Sequence, residues 1–540
     1  MVSSRTADTK SSRSVGDEPV SPTVTGLRAL RITQFQAIVL VIFGLSLGMS
    51  LWQLSVPEFL SSYDSGVYLA STIHFVSGVL PYKDFTFVQP PGILLLMSPV
   101  GVFSRVFGTH DGFILARVVS SVVTALNAGL VAWLVRHRGR VAMVIAGGGL
   151  AFLPVSFFVS SSLTLEPYCV LFVLAGALVV LERDATSEAL STRRLVVGGI
   201  LLGFALLIKL WAVFPLVALA GCLVPKYRRR VGLLLATAAS CFVAVALPFF
   251  VAAPHRFWSE VFSEQLLRQA SPTQGASIGY RLMTLTGFGP TTIAPSTTVA
   301  EVAFAILVVL VAVSLALRAP RGSLDGFFIL ATLLVGGALL YSPEFYPYYG
   351  YFLAPFLLGV VGLSFARLAT PLRAALSAIP VSRTSRRFLR LTGEMSGALT
   401  IFALVLYITS YYSSYAWGLG LYSPEFAAIT NRIPAGSCVV YSEVSYGIEA
   451  NRWTSSDPHC PTLVDPLGMW MAWGYQTKPA TATFAQMWKS YFERAQYVVL
   501  STPGDALIGW NPNLVTWFSD HFHLTYHHDY VVIYRADVKS

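Results

Sequence analysis

The sequence predicts a polytopic α-helical membrane protein with a small C-terminal α/β domain. Of its 540 residues, 54% are hydrophobic and 12% are charged, whereas about a quarter of the residues in an ordinary soluble domain carry charge. The hydrophobic residues also come in runs of about 18 to 25, the length with which an α-helix crosses a hydrocarbon layer. After residue 415 strand-like segments replace these runs.

The basic clusters between the hydrophobic runs fix a topology of about eleven spans. Short loops rich in Lys and Arg stay in the cytoplasm during membrane insertion. Every basic cluster falls on one side when the spans lie at 35–56, 113–135, 141–159, 167–181, 195–208, 211–224, 231–252, 298–317, 325–341, 348–366 and 396–415.

The same topology divides the chain into three parts. Residues 1–32 are rich in Ser, Thr and charge and lack a signal-peptide pattern, which predicts a disordered cytoplasmic tail. Residues 33–415 form the transmembrane domain, and 416–540 form an extracytoplasmic α/β domain. The basic residues that produce the formal net charge of +10 lie beside the spans. We therefore expect a lipid bilayer and no nucleic acid as partner.

The C-terminal domain combines strands with a helix. Alternating and β-branched residues predict strands, and a helical pattern precedes the second of them. These segments are Cys438–Tyr441, Tyr497–Leu500 and Tyr530–Tyr534 as strands and Thr483–Arg494 as the helix.

Two of the five cysteines, Cys438 and Cys460, fall in this outward domain. Oxidising conditions there allow a disulfide, and we expect these two to pair, with two unpaired thiols as the alternative. Cys169, Cys222 and Cys241 lie in predicted spans and suit packing. No Cys/His spacing indicates a structural zinc site.

Asp64 is the best candidate for chemistry, in the first outward loop within Ser62-Tyr63-Asp64-Ser65-Gly66-Val67-Tyr68. A carboxylate beside a membrane is costly to desolvate, so it is retained where it has a function. The alternative is a helix N-cap or turn acid, which Asp-Ser-Gly also suits. Position alone does not separate the two.

Three motifs of this loop together suggest a family. Asp64 stands in D-x-G-x-Y, a G-x-x-P-Y-x-D segment ends at Asp84, and P-P-G at 90–92 opens the next helical stretch. This combination resembles the membrane-embedded glycosyltransferases of the GT-C superfamily. The resemblance implies inverting transfer from a polyprenyl-phosphate sugar, with residues 33–415 as the catalytic domain and Asp64 as the general base.

The resemblance extends to two further acids. Asp84 would orient Asp64, hold the acceptor or bind a metal, and otherwise is a solvated loop acid. Glu166, in a T-L-E-P context at the outer mouth of a span, is similar to an acid that such enzymes carry there. Its alternative is a helix-start acid facing the N-terminal dipole. Because Asp64, Asp84 and Glu166 offer oxygen ligands, a divalent cation (Mg, Mn or Ca) is a candidate cofactor.

Basic residues are expected to hold the donor phosphate. Lys209 stands between two short hydrophobic runs, where a lysine either snorkels to the interface or pairs with an anion. The resembling enzymes place a basic residue near the phosphate from this segment. Arg268 and Arg281 are further candidates, although Arg256 and Arg268 could equally be solvated charges on an amphipathic interfacial helix at 255–269.

Tyrosines are expected to line the substrate site: Tyr68 and Tyr82 from the first loop, and Tyr346 and Tyr349 from an aromatic turn at 342–355. The turn is similar to one in many GT-C enzymes, but Gly350 occupies a place that often holds His, which puts proton transfer by this turn in doubt. An aromatic belt at the membrane interface is the alternative.

The functional expectation is transfer of a sugar to an envelope glycan, glycolipid or protein outside the cytoplasmic membrane. Mannose and arabinofuranose are the first guesses from the resemblance. A transporter or flippase for a lipid-linked sugar is the alternative, but transporters carry internal repeats and ionisable residues at mid-membrane. A non-catalytic envelope assembly factor is a third possibility.

Overall fold

A computed structural model of the protein describes residues 33–54, 63–182, 190–266, 277–287, 297–317, 322–378, 426–471, 482–528 and 530–537. The predicted tail, the predicted span at 396–415 and Arg268 lie outside these residues.

Helices dominate the chain up to residue 378, and each of the ten predicted spans within the described ranges overlaps helical residues. The helices are α1 Gln34–Leu54, α2 Tyr63–Val76, α3 Gly92–Phe107, α4 Thr109–Leu134, α5 Arg140–Met143, α6 Gly149–Phe152, α7 Pro154–Ser160, α8 Leu165–Leu181, α9 Thr192–Ile208, α10 Val213–Ala252, α11 Pro254–Trp258, α12 Glu264–Leu266, α13 Ile278–Thr286, α14 Thr297–Leu317, α15 Ser323–Leu340 and α16 Gly350–Ala378.

Length and apolarity support a multi-pass membrane protein. Within the described ranges, five helical stretches are long and apolar enough to cross a membrane. There are six if Arg140–Phe152 and Pro154–Ser160, which meet at a 55° bend, count as one broken span. Shorter apolar helices, α3 and α8 among them, accompany these. About eleven spans therefore stays a prediction.

Helix α10 contains two oppositely directed segments rather than one. Tyr227, within its basic cluster, has non-helical backbone angles (φ −134°, ψ 36°). Gly199 of α9 packs on Leu234, and Gly203 packs on Ala238, so the second half of α10 runs parallel to α9. For two neighbouring helical segments to run parallel, the chain must reverse its direction twice between them. One reversal lies at the break after α9 and the other at Tyr227. This arrangement agrees with the two spans predicted at 211–224 and 231–252.

The C-terminal region forms a small four-stranded sheet flanked by helices. The strand order is β1-β2-β4-β3, with β1 parallel to β2 and the other pairs antiparallel. The strands are β1 Val439–Tyr441, β2 Tyr497–Leu500, β3 Phe522–His528 and β4 Val531–Ala536, and the helices are α17 Phe426–Arg432, α18 Val444–Glu449, α19 Pro466–Met469, α20 Ala482–Phe492 and α21 Pro512–His521.

The three predicted strands and the predicted helix are confirmed, whereas β3 was missed because most of its side chains are exposed and polar. The predicted disulfide is present, with Cys438 and Cys460 joined and their Cα atoms 5.4 Å apart. Cys438 directly precedes β1, so the disulfide ties the loop before α19 to the edge of the sheet.

The C-terminal region packs directly on the first loop and on α4. Thr109 at the start of α4 donates its backbone N–H to Asn451 Oδ1 at 2.9 Å, and its hydroxyl to the Ile448 carbonyl at 2.8 Å. Buried residues such as Tyr441 and Tyr446 share one hydrophobic core with the transmembrane helices. This contact brings the C-terminal loops to the candidate site.

Candidate active site

A cavity lies where the first loop, the end of α9, the aromatic turn and the C-terminal region meet. Its walls carry two carboxylates, one ammonium group and several tyrosines. The lining residues are Tyr63, Asp64, Val67, Tyr68, Phe87, Val88, Gln89, Lys209, Tyr346, Tyr348, Tyr349, Asp465, Leu467, Gly468 and Met471.

Asp64 lies in the first turn of α2, and its Oδ2 accepts a 2.6 Å hydrogen bond from the Tyr348 hydroxyl. The neighbours of Asp64 explain the D-x-G motif. Ser65 Oγ accepts a 2.9 Å bond from the Leu163 N–H, and a Cβ on Gly66 would lie 2.5 Å from the backbone nitrogen of Ser445. The motif therefore holds α2 in place from two sides while the carboxylate faces the cavity.

Tyr63 connects the first loop to the C-terminal region. Its hydroxyl donates to Asp465 Oδ1 at 3.0 Å and accepts from the Leu467 N–H at 2.6 Å. Asp465 also accepts from the Gly468 N–H at 2.8 Å and thereby caps α19. Asp465 is thus both a helix cap and part of the cavity wall.

Lys209 follows the last residue of α9 in extended conformation (φ −151°). Its Nζ lies 2.5 Å from Glu166 Oε1, 3.9 Å from the Trp211 ring centroid and 4.5 Å from that of Tyr349. Of the two alternatives, the structure has Lys209 paired with an anion rather than snorkelling. Glu166 Oε2 is buried and has no hydrogen-bond partner among the described residues.

Hydrogen bonds within the first loop hold the G-x-x-P-Y-x-D segment. The exposed Asp84 accepts a 2.7 Å hydrogen bond from the Leu80 N–H and closes a turn. Tyr82 has a positive φ of 67°, is fully buried, and donates its hydroxyl to the Gln89 carbonyl at 2.5 Å. Neither residue is among those that line the cavity.

Arg281 supports the aromatic turn. It is buried on α13, donates to the carbonyls of Leu340 and Ser342, and lies 5.4 Å from the Phe345 ring centroid. The guanidinium thus contacts the segment that leads into Tyr346, and Arg281 itself is not a lining residue of the cavity.

Glu260 and Arg256 were not predicted as site residues, yet they hold one wall. The Phe87 N–H donates to Glu260 Oε2 at 2.8 Å, and Arg256 Nε donates to Glu260 Oε1 at 2.9 Å. Arg256 also donates to Thr86 Oγ1 at 3.0 Å, so it is not simply a solvated charge. Burial raises the pKa of the Glu260 carboxyl to about 7. The i, i+4 spacing could have predicted the Arg256–Glu260 pair, but not the contact of Glu260 with Phe87.

Glu443 is a further acid near Asp64 that sequence reasoning missed. Its Oε1 accepts from the Ser445 hydroxyl at 2.6 Å. Burial, with smaller contributions from the charges of Asp505 and Asp64, raises the pKa of the Glu443 carboxyl to about 8. Glu443 itself is not among the residues that line the cavity.

The described residues contain no group of three His, Cys, Asp or Glu side chains placed to hold a metal ion. Asp64 lines the cavity, Glu166 pairs with the lining residue Lys209, and Asp84 is at an exposed turn. What the cavity does offer is a carboxylate for proton transfer and an ammonium group for an anion within one concave space.

Comparison with known proteins gives one family and several solved structures that this chain resembles. The model of glycosyltransferase family 87 matches residues 87–343, and no curated protein matches the sequence. ArnT from Cupriavidus metallidurans bound to undecaprenyl phosphate is 18% identical, with a TM-score of 0.57, over 94% of this chain and 98% of that chain. Its apo structure is 15% identical, with a TM-score of 0.56, over 93% and 96%.

The oligosaccharyltransferase of Archaeoglobus fulgidus in its apo form is 14% identical, with a TM-score of 0.48, over 86% of this chain and 69% of that chain. The fold shared with ArnT and the family 87 match agree with the motifs of the first loop. The chain accordingly has the fold of GT-C membrane glycosyltransferases, and it is similar to glycosyltransferase family 87 over residues 87–343.

Proposed function

We propose that the protein is an inverting glycosyltransferase that takes a sugar from a polyprenyl phosphate and transfers it outside the cytoplasmic membrane. The acceptor is a glycan, glycolipid or protein of the cell envelope. The observation that carries the proposal is that Asp64 and Lys209 line the same cavity in a chain of this fold. The undecaprenyl phosphate bound to the structurally similar ArnT supports a lipid phosphate as the donor.

Asp64 acts as the general base in this proposal. An acceptor hydroxyl oxygen attacks the anomeric carbon and forms the new glycosidic bond. The bond between that carbon and the phosphate oxygen breaks, and its electron pair leaves with the phosphate. The hydroxyl proton passes to the Asp64 carboxylate, while the hydrogen bond from Tyr348 keeps the carboxylate oriented.

Lys209 stabilises the leaving phosphate, which gains negative charge as the bond breaks. Glu166 balances the ammonium charge before the donor arrives, and Tyr349 and Trp211 keep water away from it. Tyr68, Tyr346 and Tyr349 contact the substrates from the cavity wall. Asp84, Tyr82 and Arg281 act indirectly, by shaping the loops that form the cavity.

The topology follows from the basic loops. The N-terminal tail is cytoplasmic, and the cavity and the C-terminal domain face outward. The domain boundaries at 32/33 and 415/416 belong to the same proposal. Mannose and arabinofuranose are the first sugars to test.

The decisive experiment is transfer of labelled sugar from polyprenyl-phosphate mannose and polyprenyl-phosphate arabinofuranose by the purified protein. Asp64→Asn is near-isosteric and removes the base, so we expect the rate to fall by about 10²-fold or more. Asp111→Asn is the matched control, because Asp111 is an exposed acid in the first turn of α4. Retained activity in Asp64→Asn would remove this residue from the mechanism. EDTA in the same assay tests for a divalent cation.

A further inference from the structure

We infer that the segment Asp465–Met471 of the C-terminal region is the acceptor subsite, and that the Asp465 carboxylate binds a hydroxyl group of an uncharged glycan. The inference rests on the proposed function, because it takes Asp64 as the base and Lys209 as the phosphate ligand. It adds the class of acceptor and the residues that select it.

The first step is the position of Asp465 beside the base. The Tyr63 hydroxyl donates to Asp465 Oδ1 at 3.0 Å, and Tyr63 immediately precedes Asp64 in the first turn of α2. Asp465 is therefore separated from the first loop by a single hydrogen bond. A sugar that offers one hydroxyl to Asp64 can reach Asp465 with another.

The second step is the connection between Lys209 and the base. Asp64 Oδ2 accepts from the Tyr348 hydroxyl, the Tyr348 and Tyr349 ring centroids are 5.1 Å apart, and Lys209 Nζ lies 4.5 Å from the Tyr349 centroid. Along this series of contacts the aromatic turn connects Asp64 to Lys209, whereas Tyr63 connects it to the C-terminal region.

The third step is the stereochemistry of inverting transfer. The acceptor oxygen attacks the anomeric carbon from the face opposite the leaving phosphate, so acceptor and phosphate occupy opposite sides of the sugar. With the phosphate at Lys209, the rest of the acceptor extends past Asp64, and the wall found there belongs to Asp465, Leu467, Gly468 and Met471.

The chemistry of this wall suits a carbohydrate. A carboxylate accepts hydrogen bonds from sugar hydroxyls, and charge-assisted hydrogen bonds of this kind are among the stronger ones. Leu467 and Met471 offer apolar surface to the C–H faces of a ring, and Gly468 adds no side chain that would narrow the cavity.

The charge of the same wall selects against an anionic acceptor. The carboxylates of Asp465 and Asp64 both line the cavity. A phosphate or carboxylate on the acceptor beside these groups would be repelled at short range. An uncharged polyol would not be repelled.

The experiment uses the full-length protein in detergent, with octyl mannoside as an uncharged acceptor probe and mannose 6-phosphate as an anionic one. For Asp465→Asn, which retains the helix cap, we expect the KM for octyl mannoside to rise about tenfold, since the charge-assisted hydrogen bond is lost. The donor KM should stay within about twofold, because Lys209 is untouched.

Asp457→Asn, an exposed acid of the same region outside the cavity, is the control and should keep both KM values. If Asp465→Asn is not recovered folded, Met471→Ala should give the same acceptor-only rise.

A fall in kcat with unchanged acceptor KM, a rise in both KM values, or better transfer to mannose 6-phosphate would overturn the inference and leave the proposed function intact. A wild type that transfers to neither probe but still uses its lipid donor would overturn the glycan subsite as well. A wild type inert towards every donor would instead overturn the proposed function itself, and this inference with it.

Discussion

The Nζ atom of Lys209 lies 2.5 Å from Oε1 of Glu166, and the two side chains are only 6% and 1% exposed. A buried ion pair of this kind contributes little net stability, because the free energy lost when both charges give up their hydration offsets their mutual attraction. In the proposed mechanism, a donor phosphate that binds Lys209 must therefore compete with Glu166. The strength of this ion pair then sets the affinity of Lys209 for an anion.

Glu166→Gln should leave the Lys209 charge buried without its counter-charge. Breaking a buried pair in this way costs about 3–5 kcal/mol, so the apparent melting temperature should fall. Because a bound phosphate restores the counter-charge, polyprenyl phosphate should raise the melting temperature of Glu166→Gln more than that of the wild type. Lys209→Met is the control and should show no stabilisation by the lipid. Equal stabilisation of all three proteins would contradict a phosphate role for Lys209.

Gly66→Ala should loosen the contact between α2 and the C-terminal region. The added Cβ would lie 2.5 Å from the Ser445 nitrogen and 2.8 Å from its Cα, and backbone atoms cannot rotate away. Overpacking of this kind costs about 1–3 kcal/mol, and the shift moves Asp64. We expect a lower melting temperature and slower transfer. Gly48→Ala, where nothing lies within 4 Å of the added Cβ, should change neither.

Hydrophobic runs and basic loops were enough to predict the helices that overlap the ten predicted spans in the described ranges, because the bilayer imposes their length and their flanking charges. Asp64 and Lys209 were also predictable, since each is conspicuous in its own local sequence. Both line the cavity, although their chemical roles stay proposals.

Residues whose position depends on distant contacts could not be predicted. Asp465 reaches the cavity through Tyr63, 402 residues earlier, and Glu260 reaches it through Phe87, 173 residues earlier. Nothing in the local sequence of either acid reports such a partner. The same limit applies to Asp84, whose motif context suggested the site while its hydrogen bond is to a turn four residues away.

The double variant Cys438→Ser/Cys460→Ser should destabilise the C-terminal region. The disulfide closes a loop with a sequence separation of 22 residues, for which the chain-entropy model gives about 3 kcal/mol. Thermal unfolding followed by tryptophan fluorescence is the measurement, since α20 and α21 carry Trp488 and Trp517. A reducing agent should lower the melting temperature of the wild type and leave the variant unchanged. Identical unfolding of both proteins under oxidising conditions would contradict a stabilising role.

Glu260 should make stability and activity respond to pH in opposite directions. Burial raises its carboxyl pKa from 4.5 to about 7, so between those two values the unfolded chain has lost a proton that the folded protein keeps. Stability therefore falls as pH rises from 4.5 to 7, by roughly 3 kcal/mol in all, and stays lower above pH 7. Activity should rise over the upper part of this range, because the ionised carboxylate holds the Phe87 N–H and Arg256 more strongly and orders the cavity wall.

In Glu260→Gln both pH dependences should weaken, while Glu493→Gln, at an exposed ion pair with Lys489, should behave as the wild type. Melting temperatures and initial rates measured from pH 5 to 8 compare the three proteins. Curves for Glu260→Gln that parallel the wild type throughout would show that another group titrates.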